Sequence, residues 1–340
     1  MIQELLILVF WLVLIIIAAE IFTNAIESLG AKLKFSEGVT GSIFAAVGTA
    51  LPETMVPLVA IFGGSSAHVR EEVGVGAILG APFMLATLAM FLIGVSVWKF
   101  KGSRKKDFLA PERGGFRRDM EFFLFAFTLS FLVAFTPQEY RLIRVFVAIL
   151  LIITYFYYVL ETVKASAALV KDGHATEESK SLYLGVIFKD HMAIVVLQLV
   201  VALGLIIIGA KGFVHGVEAL AEFIRIPVIA LSLLIIPVAT ELPEKINSIL
   251  WVRKGKDTMA VGNITGAMVF QGSLLPAIGI FLTPWTINVT VVASCTITIA
   301  AGIWLYFMAM RVKKLTPAFF ILNGLLYLAF VYIALTAGRA

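Results

Sequence analysis

The sequence predicts an all-α membrane protein of ten transmembrane helices, built as two inverted five-helix repeats with spans two and seven broken at mid-membrane. Composition predicts the membrane. Of 340 residues, 60% are hydrophobic and only 14% charged, with a mean hydropathy of +1.00. A soluble domain carries about 25% charged residues, so there is too little polar surface here to coat a globule in water. Length predicts the helices, because the apolar residues fall in runs of roughly 20, enough to cross a bilayer. Repetition predicts the inversion: a Thr-x-Leu-Pro-Glu stretch occurs once in each half of the chain.

The spans are read at about 3–20, 39–62, 74–97, 120–136, 142–163, 188–210, 226–250, 258–281, 286–309 and 316–337. The first run, Leu5 to Ala19, follows Met-Ile-Gln-Glu and lacks the basic start of a secretory signal. It reads as the first transmembrane helix. Cys295 is alone, lies in an apolar run and rules out an internal disulfide.

Basic residues orient the spans. The odd-numbered connections collect 20 of the 27 Lys and Arg residues, among them Lys32, Lys34, the eight from Lys99 to Arg118, and Arg253, Lys254 and Lys256. The other side holds Arg70, Arg141, Arg144, Lys211, Arg225 and Arg339, and Lys245 lies inside a span. The odd connections are therefore expected in the cytoplasm, with both termini on the opposite side. The compact length suggests the inner membrane of a prokaryote.

The most polar connection, Lys171 to Ser181, lies near the middle. It divides the chain into a first five-helix repeat (1–165), a cytoplasmic connecting loop (166–186) and a second repeat (187–340). Five spans are an odd number, so two such sets in series face opposite ways, a common plan of secondary transporters. An offset of 191 residues places Phe22 on Phe213, Glu27 on Glu218, Thr49 on Thr240, and Leu51-Pro52-Glu53 on Leu242-Pro243-Glu244. After a five-residue difference in the loop, Gly76 and Gly80 fall on Gly262 and Gly266.

These motifs carry the chemistry. Gly48-Thr49-Ala50-Leu51-Pro52-Glu53 and Ala239-Thr240-Glu241-Leu242-Pro243-Glu244 each put a proline inside an apolar helix, where it removes a hydrogen bond and frees a carbonyl. Hydrocarbon tolerates a free carbonyl only where protein or a water-filled cavity satisfies it. Each motif also buries a carboxylate, which costs a few kcal/mol or more and marks a pathway or a site. Carboxylates, freed carbonyls and threonine hydroxyls together form a hard oxygen environment suited to calcium or sodium. One Pro-Glu pair could be a kink beside a spectator acid; two at equivalent, inverted positions point to a site. Spans three and eight add small-residue faces (Gly74, Gly76, Gly80 and Ala81; Gly262, Gly266 and Ala267), which close helix packing also explains. Asn263 and Gln271 are the polar candidates in span eight.

Through these stretches the chain resembles the calcium/cation antiporter superfamily, of the sodium/calcium exchanger type. Its two repeats carry a Gly-Thr-Ser-Leu-Pro-Glu-like stretch followed by a Gly-Asn-x-x-Gly-Ser-Asn-like one. They correspond here to Gly48–Glu53 with Gly76–Leu85, and to Ala239–Glu244 with Gly262–Gln271. The resemblance implies that Glu53 and Glu244 are the metal ligands, and that Thr49 and Thr240 help to bind ions. It also implies that sliding of the first and sixth helices alternates access. The serine after each threonine is replaced by Ala50 and Glu241, and span three has Ala77, Ala81 and Leu85 where polar residues are usual. Several sodium-liganding side chains are therefore missing.

Glu241 and Lys245 stand four apart, glutamate first, the favoured order for a helical ion pair. They either neutralise each other or set a built-in cation beside Glu244. His68, His174, His191 and His215 show no metal-gathering spacing, and Glu27 and Glu218 read as interfacial acids. The Lys99–Arg118 stretch holds the topology or meets anionic lipid headgroups.

The expected activity is secondary exchange of a divalent cation, calcium, for sodium, with Glu53, Glu244, Thr49, Thr240, Gln271, Asn263 and Glu241 as ion-binding residues. Proton coupling or another cation is the alternative, and a transport-inactive scaffold or sensor the reading from a different class. An intramembrane hydrolase is not expected, because Leu-Pro-Glu matches no hydrolase motif, and neither is a pump, because no nucleotide-binding motif is present. No cofactor is expected beyond the transported calcium, sodium or protons. The expected partners are inorganic cations and membrane lipids, not nucleic acid.

Overall fold

The computed structural model describes residues 2–36, 39–40, 54, 67–104, 106–171, 182–186, 188, 191–224, 241–285 and 289–337. Nearly all of span two, with Thr49 and Glu53, lies outside these residues, as does the first part of span seven, with Thr240.

The described chain is helical. In order it forms α1 (Ile2–Lys32), α2 (Ala67–Met84), a π-helical turn (Leu85–Ala89), α3 (Met90–Lys99), α4 (Arg113–Leu132), α5 (Arg141–Lys171) and α6 (Met192–Ile224). There follow α7 (Leu242–Lys254), α8 (Asp257–Leu282), α9 (Val289–Arg311) and α10 (Ile321–Ala337). Seven stretches among the described residues are long and apolar enough to cross a bilayer, from Val9–Lys32 to Pro317–Ala334.

Much of the described helical exterior is apolar. Phe10, Val13 and Ile17 on α1, Leu142, Phe146, Ile153 and Leu160 on α5, and Leu325 and Leu328 on α10 are all exposed. In water such a surface would drive aggregation; facing lipid, it is the expected one. The centre belongs to α8, which packs on α2, α4, α5 and α7. Its glycines make room for that. A Cβ at Gly272 would lie 2.9 Å from Phe123, and one at Gly279 would lie 2.2 Å from Trp285. Gly76, Gly80, Ala81, Gly262, Gly266 and Ala267 are all buried, as close packing of α2 against α8 requires.

Three features depart from the expected spans. First, α1 continues as a helix to Lys32 instead of ending near residue 20. Its polar second half is satisfied by other elements: Tyr183 donates to Glu20 (3.0 Å), Gln198 to Asn24 (2.8 Å) and Trp251 to Glu27 (2.9 Å). Burial, followed by the bond to Glu20, pushes the Tyr183 phenol up to about 12. Glu27 is thus no simple interfacial acid. It is 1% exposed and also meets Lys254 (3.3 Å) and Lys256 (3.2 Å).

Second, Pro243 stands in the first turn of α7 instead of inside a helix. A proline is at ease there, since a first-turn N–H has no partner within the helix. Third, the span-three segment is interrupted by the π-helical turn, just after Pro82 inside α2. Asn323 of α10 donates to the Ala86 carbonyl in that turn (2.7 Å).

Candidate ion-binding site

The site is built on the start of α7 and the middle of α8. Glu241 stands at the N-cap position of α7 without a side-chain capping bond, Leu242 and Pro243 open the helix, and Glu244 lies in the first turn. That helix end carries partial positive charge, which favours a nearby carboxylate. Glu241 and Glu244 are both fully buried. At its other end α7 stops at Gly255, whose φ of 75° closes the helix in the left-handed conformation, with Arg253 and Lys254 in the last turn. Asp257 then starts α8, so the two helices run antiparallel.

Polar side chains fix α7 on both sides. The amide nitrogen of Asn263 donates to the Glu244 backbone carbonyl (3.1 Å) and to Ser248 Oγ (3.0 Å). On the other side, Asn247 Oδ1 lies 2.8 Å from the Thr23 hydroxyl of α1.

Asn263, Ala267 and Gln271 follow one another at intervals of four and so share a face of α8. Asn263 and Gln271 are separated by about 12 Å along the axis at 1.5 Å per residue, so they act at different depths. The nitrogen of Asn263 braces α7, while its buried oxygen has no hydrogen-bond partner among the described residues. Gln271 is fully buried, and neither its amide oxygen nor its nitrogen has one. Buried polar atoms are rarely left so. Such an amide suits a layer that receives a polar guest.

The expected ion pair is formed. Lys245 Nζ lies 3.1 Å from Glu241 Oε2, with the two side chains 3% and 0% exposed. Glu241 is also within electrostatic reach of Glu244.

The stretch of α2 and the π turn that corresponds in sequence to Gly262–Gln271 is different. Ala81, Phe83, Met84, Leu85 and Ala86 are buried and apolar, and the Thr87 hydroxyl is bonded to its own helix at the Phe83 carbonyl (2.6 Å).

Of the expected ion-binding residues, Glu241, Glu244, Asn263 and Gln271 fall in the same region of α7 and α8, whereas Thr49, Glu53 and Thr240 lie outside the described residues. No group of three His, Cys, Asp or Glu side chains gathers among the described residues. The sequence reading missed Asn247, Ser248, Thr23 and Asn323, although polar residues in apolar spans were the available signal. It also missed Asp119, which is fully buried and accepts from Tyr158 (3.0 Å) and Thr265 (2.6 Å).

A lipid-facing helical bundle with carboxylates and amides buried at its centre is that of a multi-pass membrane protein with a polar interior. Residues 4–163 and 194–336 match the model of the family described as sodium/calcium exchanger protein, and the chain belongs to that family. It is 25% identical over 282 residues to the inner membrane protein YrbG of Escherichia coli (strain K12), covering 83% of this chain and 80% of that one. To CaxA of Alkalimonas amylolytica it is 28% identical over 134 residues, 39% of this chain and 42% of the relative. Its fold is that of the sodium-calcium exchanger NCX_Mj soaked with 2.5 mM Na+ and 0.1 mM Ca2+, with a TM-score of 0.73, 18% identity and coverage of 98% of both chains.

Proposed function

We propose that the protein exchanges a divalent cation, calcium, for sodium by alternating access, with Glu53 and Glu244 binding the ion between two inverted five-helix repeats. The observation that carries this reading is the placement of Glu244. A carboxylate is fully buried in the first turn of a helix whose position is fixed by Asn247 and Asn263, and the adjoining α8 carries the buried amide of Gln271, which has no hydrogen-bond partner among the described residues. Membership of the sodium/calcium exchanger family supports the same assignment.

The mechanism follows from charge. Two carboxylates are costly in a low-dielectric core, and a bound calcium ion neutralises both. Sodium ions or protons on the same oxygens neutralise them on the return. The empty, doubly charged state is too unfavourable to cross, so ions exchange and do not leak. Threonine hydroxyls at 49 and 240 and the oxygen of Gln271 complete a hard oxygen shell. In this arrangement the basic connections face the cytoplasm of a prokaryotic cell and both termini face outward.

The buried, apolar stretch from Ala81 to Ala86 favours a second reading in which protons take the place of sodium. It offers no side-chain oxygen, and a proton needs only the carboxylates themselves.

Calcium flux into sealed vesicles carrying the purified protein tests both readings. A sodium gradient, a proton gradient or neither is imposed, with Glu53→Gln and Glu244→Gln as controls. The expected result is gradient-driven uptake that either substitution abolishes while the protein stays folded. Full activity in either variant would sink the two-carboxylate mechanism, and uptake driven only by protons would select the second reading.

A further inference from the structure

We infer that Glu27 is the positioning residue of a polar clasp between α1 and α7, which shuts the ion site toward the basic α7–α8 corner and has to part in every transport cycle. The inference rests on the alternating access proposed above.

The clasp is a seam of matched faces. Glu20, Thr23 and Glu27 recur at helical spacing and share one face of α1, while Asn247, Trp251 and Lys254 share one face of α7. Thr23 meets Asn247 at 2.8 Å, and one turn further along both helices Trp251 donates to Glu27 at 2.9 Å. Lys254 reaches Glu27 (3.3 Å) and Glu20 (3.9 Å), and Lys256, just past the end of α7, reaches Glu27 (3.2 Å). One carboxylate thus gathers an indole and two ammonium groups from α7 and the corner.

The α7 residues of the seam all lie on the same side of Glu244, with Lys254 about 15 Å along the axis from it at 1.5 Å per residue. An ion leaving Glu244 along this face would meet the Thr23–Asn247 contact, then Trp251 and Glu27, both buried. That route is shut in this structure, so exchange with the corner side needs the seam to open.

The joint between α1 and α6 is of another kind. The two helices approach so closely that a Cβ at Gly212 would lie 2.2 Å from Trp11. Gln198 donates to the Asn24 side chain (2.8 Å) and to the Ile21 carbonyl (3.0 Å). Parting these buried neutral groups would leave each unsatisfied. The lysines of the clasp instead stand at the rim, with side chains 19% and 12% exposed. Water can take up their charge when the seam opens, and ion pairs near water hold less firmly than buried ones. α1 therefore stays with α6 and comes away from α7.

The test varies calcium on each side of the membrane in turn, using right-side-out and inverted vesicles from cells that make the intact protein. Glu27→Gln keeps an acceptor for Trp251 and removes the charge that holds both lysines. It is expected to strengthen apparent calcium affinity on the corner side by roughly fivefold or more and to weaken it on the other. Opposite shifts mark a moved equilibrium between two access states, whereas a structural defect alone alters both sides alike. Shifts in the same direction, or none, overturn the inference. Lys254→Gln and Lys256→Gln at the rim are expected to give the same opposite shifts to a smaller extent, and they decide the matter if Glu27→Gln does not fold. A second measurement joins the seam. Thr23→Cys with Asn247→Cys, bridged by mercuric ion in a Cys295→Ala background, is expected to stop exchange until a free thiol removes the bridge. Undiminished exchange by the bridged protein would contradict the clasp. Absence of calcium flux in the unaltered protein under every gradient removes the alternating-access reading, and the inference with it. Exchange that runs without the opposite shifts rejects the clasp alone.

Discussion

Two stretches that correspond in sequence, Gly76–Leu85 and Gly262–Gln271, occupy similar buried positions and are chemically unlike. Both lie in helices at the centre of the bundle, and both use small residues to let neighbours approach. The second adds Asn263, which braces α7, and Gln271, whose buried amide has no partner among the described residues. At the matching positions the first has Ala77 and Leu85, and Leu85 is fully buried in the apolar core. Where the second stretch runs on as one helix, the first is interrupted by a π-helical turn held by Asn323. The difference teaches that packing and ion chemistry are separable in this fold. Small residues let neighbouring helices approach in both stretches, and of the two only the second carries polar side chains.

Substitutions that exchange the character of the two stretches sharpen this contrast. The largest effect is expected from Gln271→Leu, which copies Leu85. Loss of one buried polar ligand of about 1–3 kcal/mol weakens apparent calcium affinity by roughly ten- to a hundredfold in flux assays. Unchanged affinity would mean that the amide does not face the ion. Asn263→Ala, which copies Ala77, is expected next. It leaves the Glu244 carbonyl and Ser248 without their donor and lowers unfolding stability by about 1–3 kcal/mol, seen as a reduced Tm in detergent. The smallest effect is expected from Leu85→Gln. An amide placed in the apolar core is expected to lower stability by about 1–2 kcal/mol without strengthening sodium-driven uptake. A gain in sodium dependence would show instead that this stretch faces the ion.

Much of this arrangement was legible in the residues. Hydropathy and run length identify a helical membrane protein, and the i, i+4 spacing of Glu241 and Lys245 anticipates the observed pair. Buried Glu244 follows from an acid inside an apolar span. The end of α1 was not legible, because its polar second half looks like a loop until Tyr183, Gln198 and Trp251 are brought against it. Glu27 was misread for the same reason: its partners are more than 220 residues away in sequence. The π turn leaves no mark in hydropathy, since Leu-Ala-Thr-Leu-Ala is ordinary helix sequence, and the carbonyl of Ala86 meets its partner Asn323 only in the folded bundle. Pro243 was placed inside a helix because hydropathy continues through it, although proline favours the first turn.

The central claim is that Glu244 binds the transported ion. Equilibrium binding of radioactive calcium to the purified protein tests it most directly, comparing the unaltered chain with Glu244→Gln after both have shown the same Tm. The account predicts saturable binding that monovalent cations or protons displace, and its loss in the variant. Undiminished calcium binding by a folded Glu244→Gln protein would contradict it.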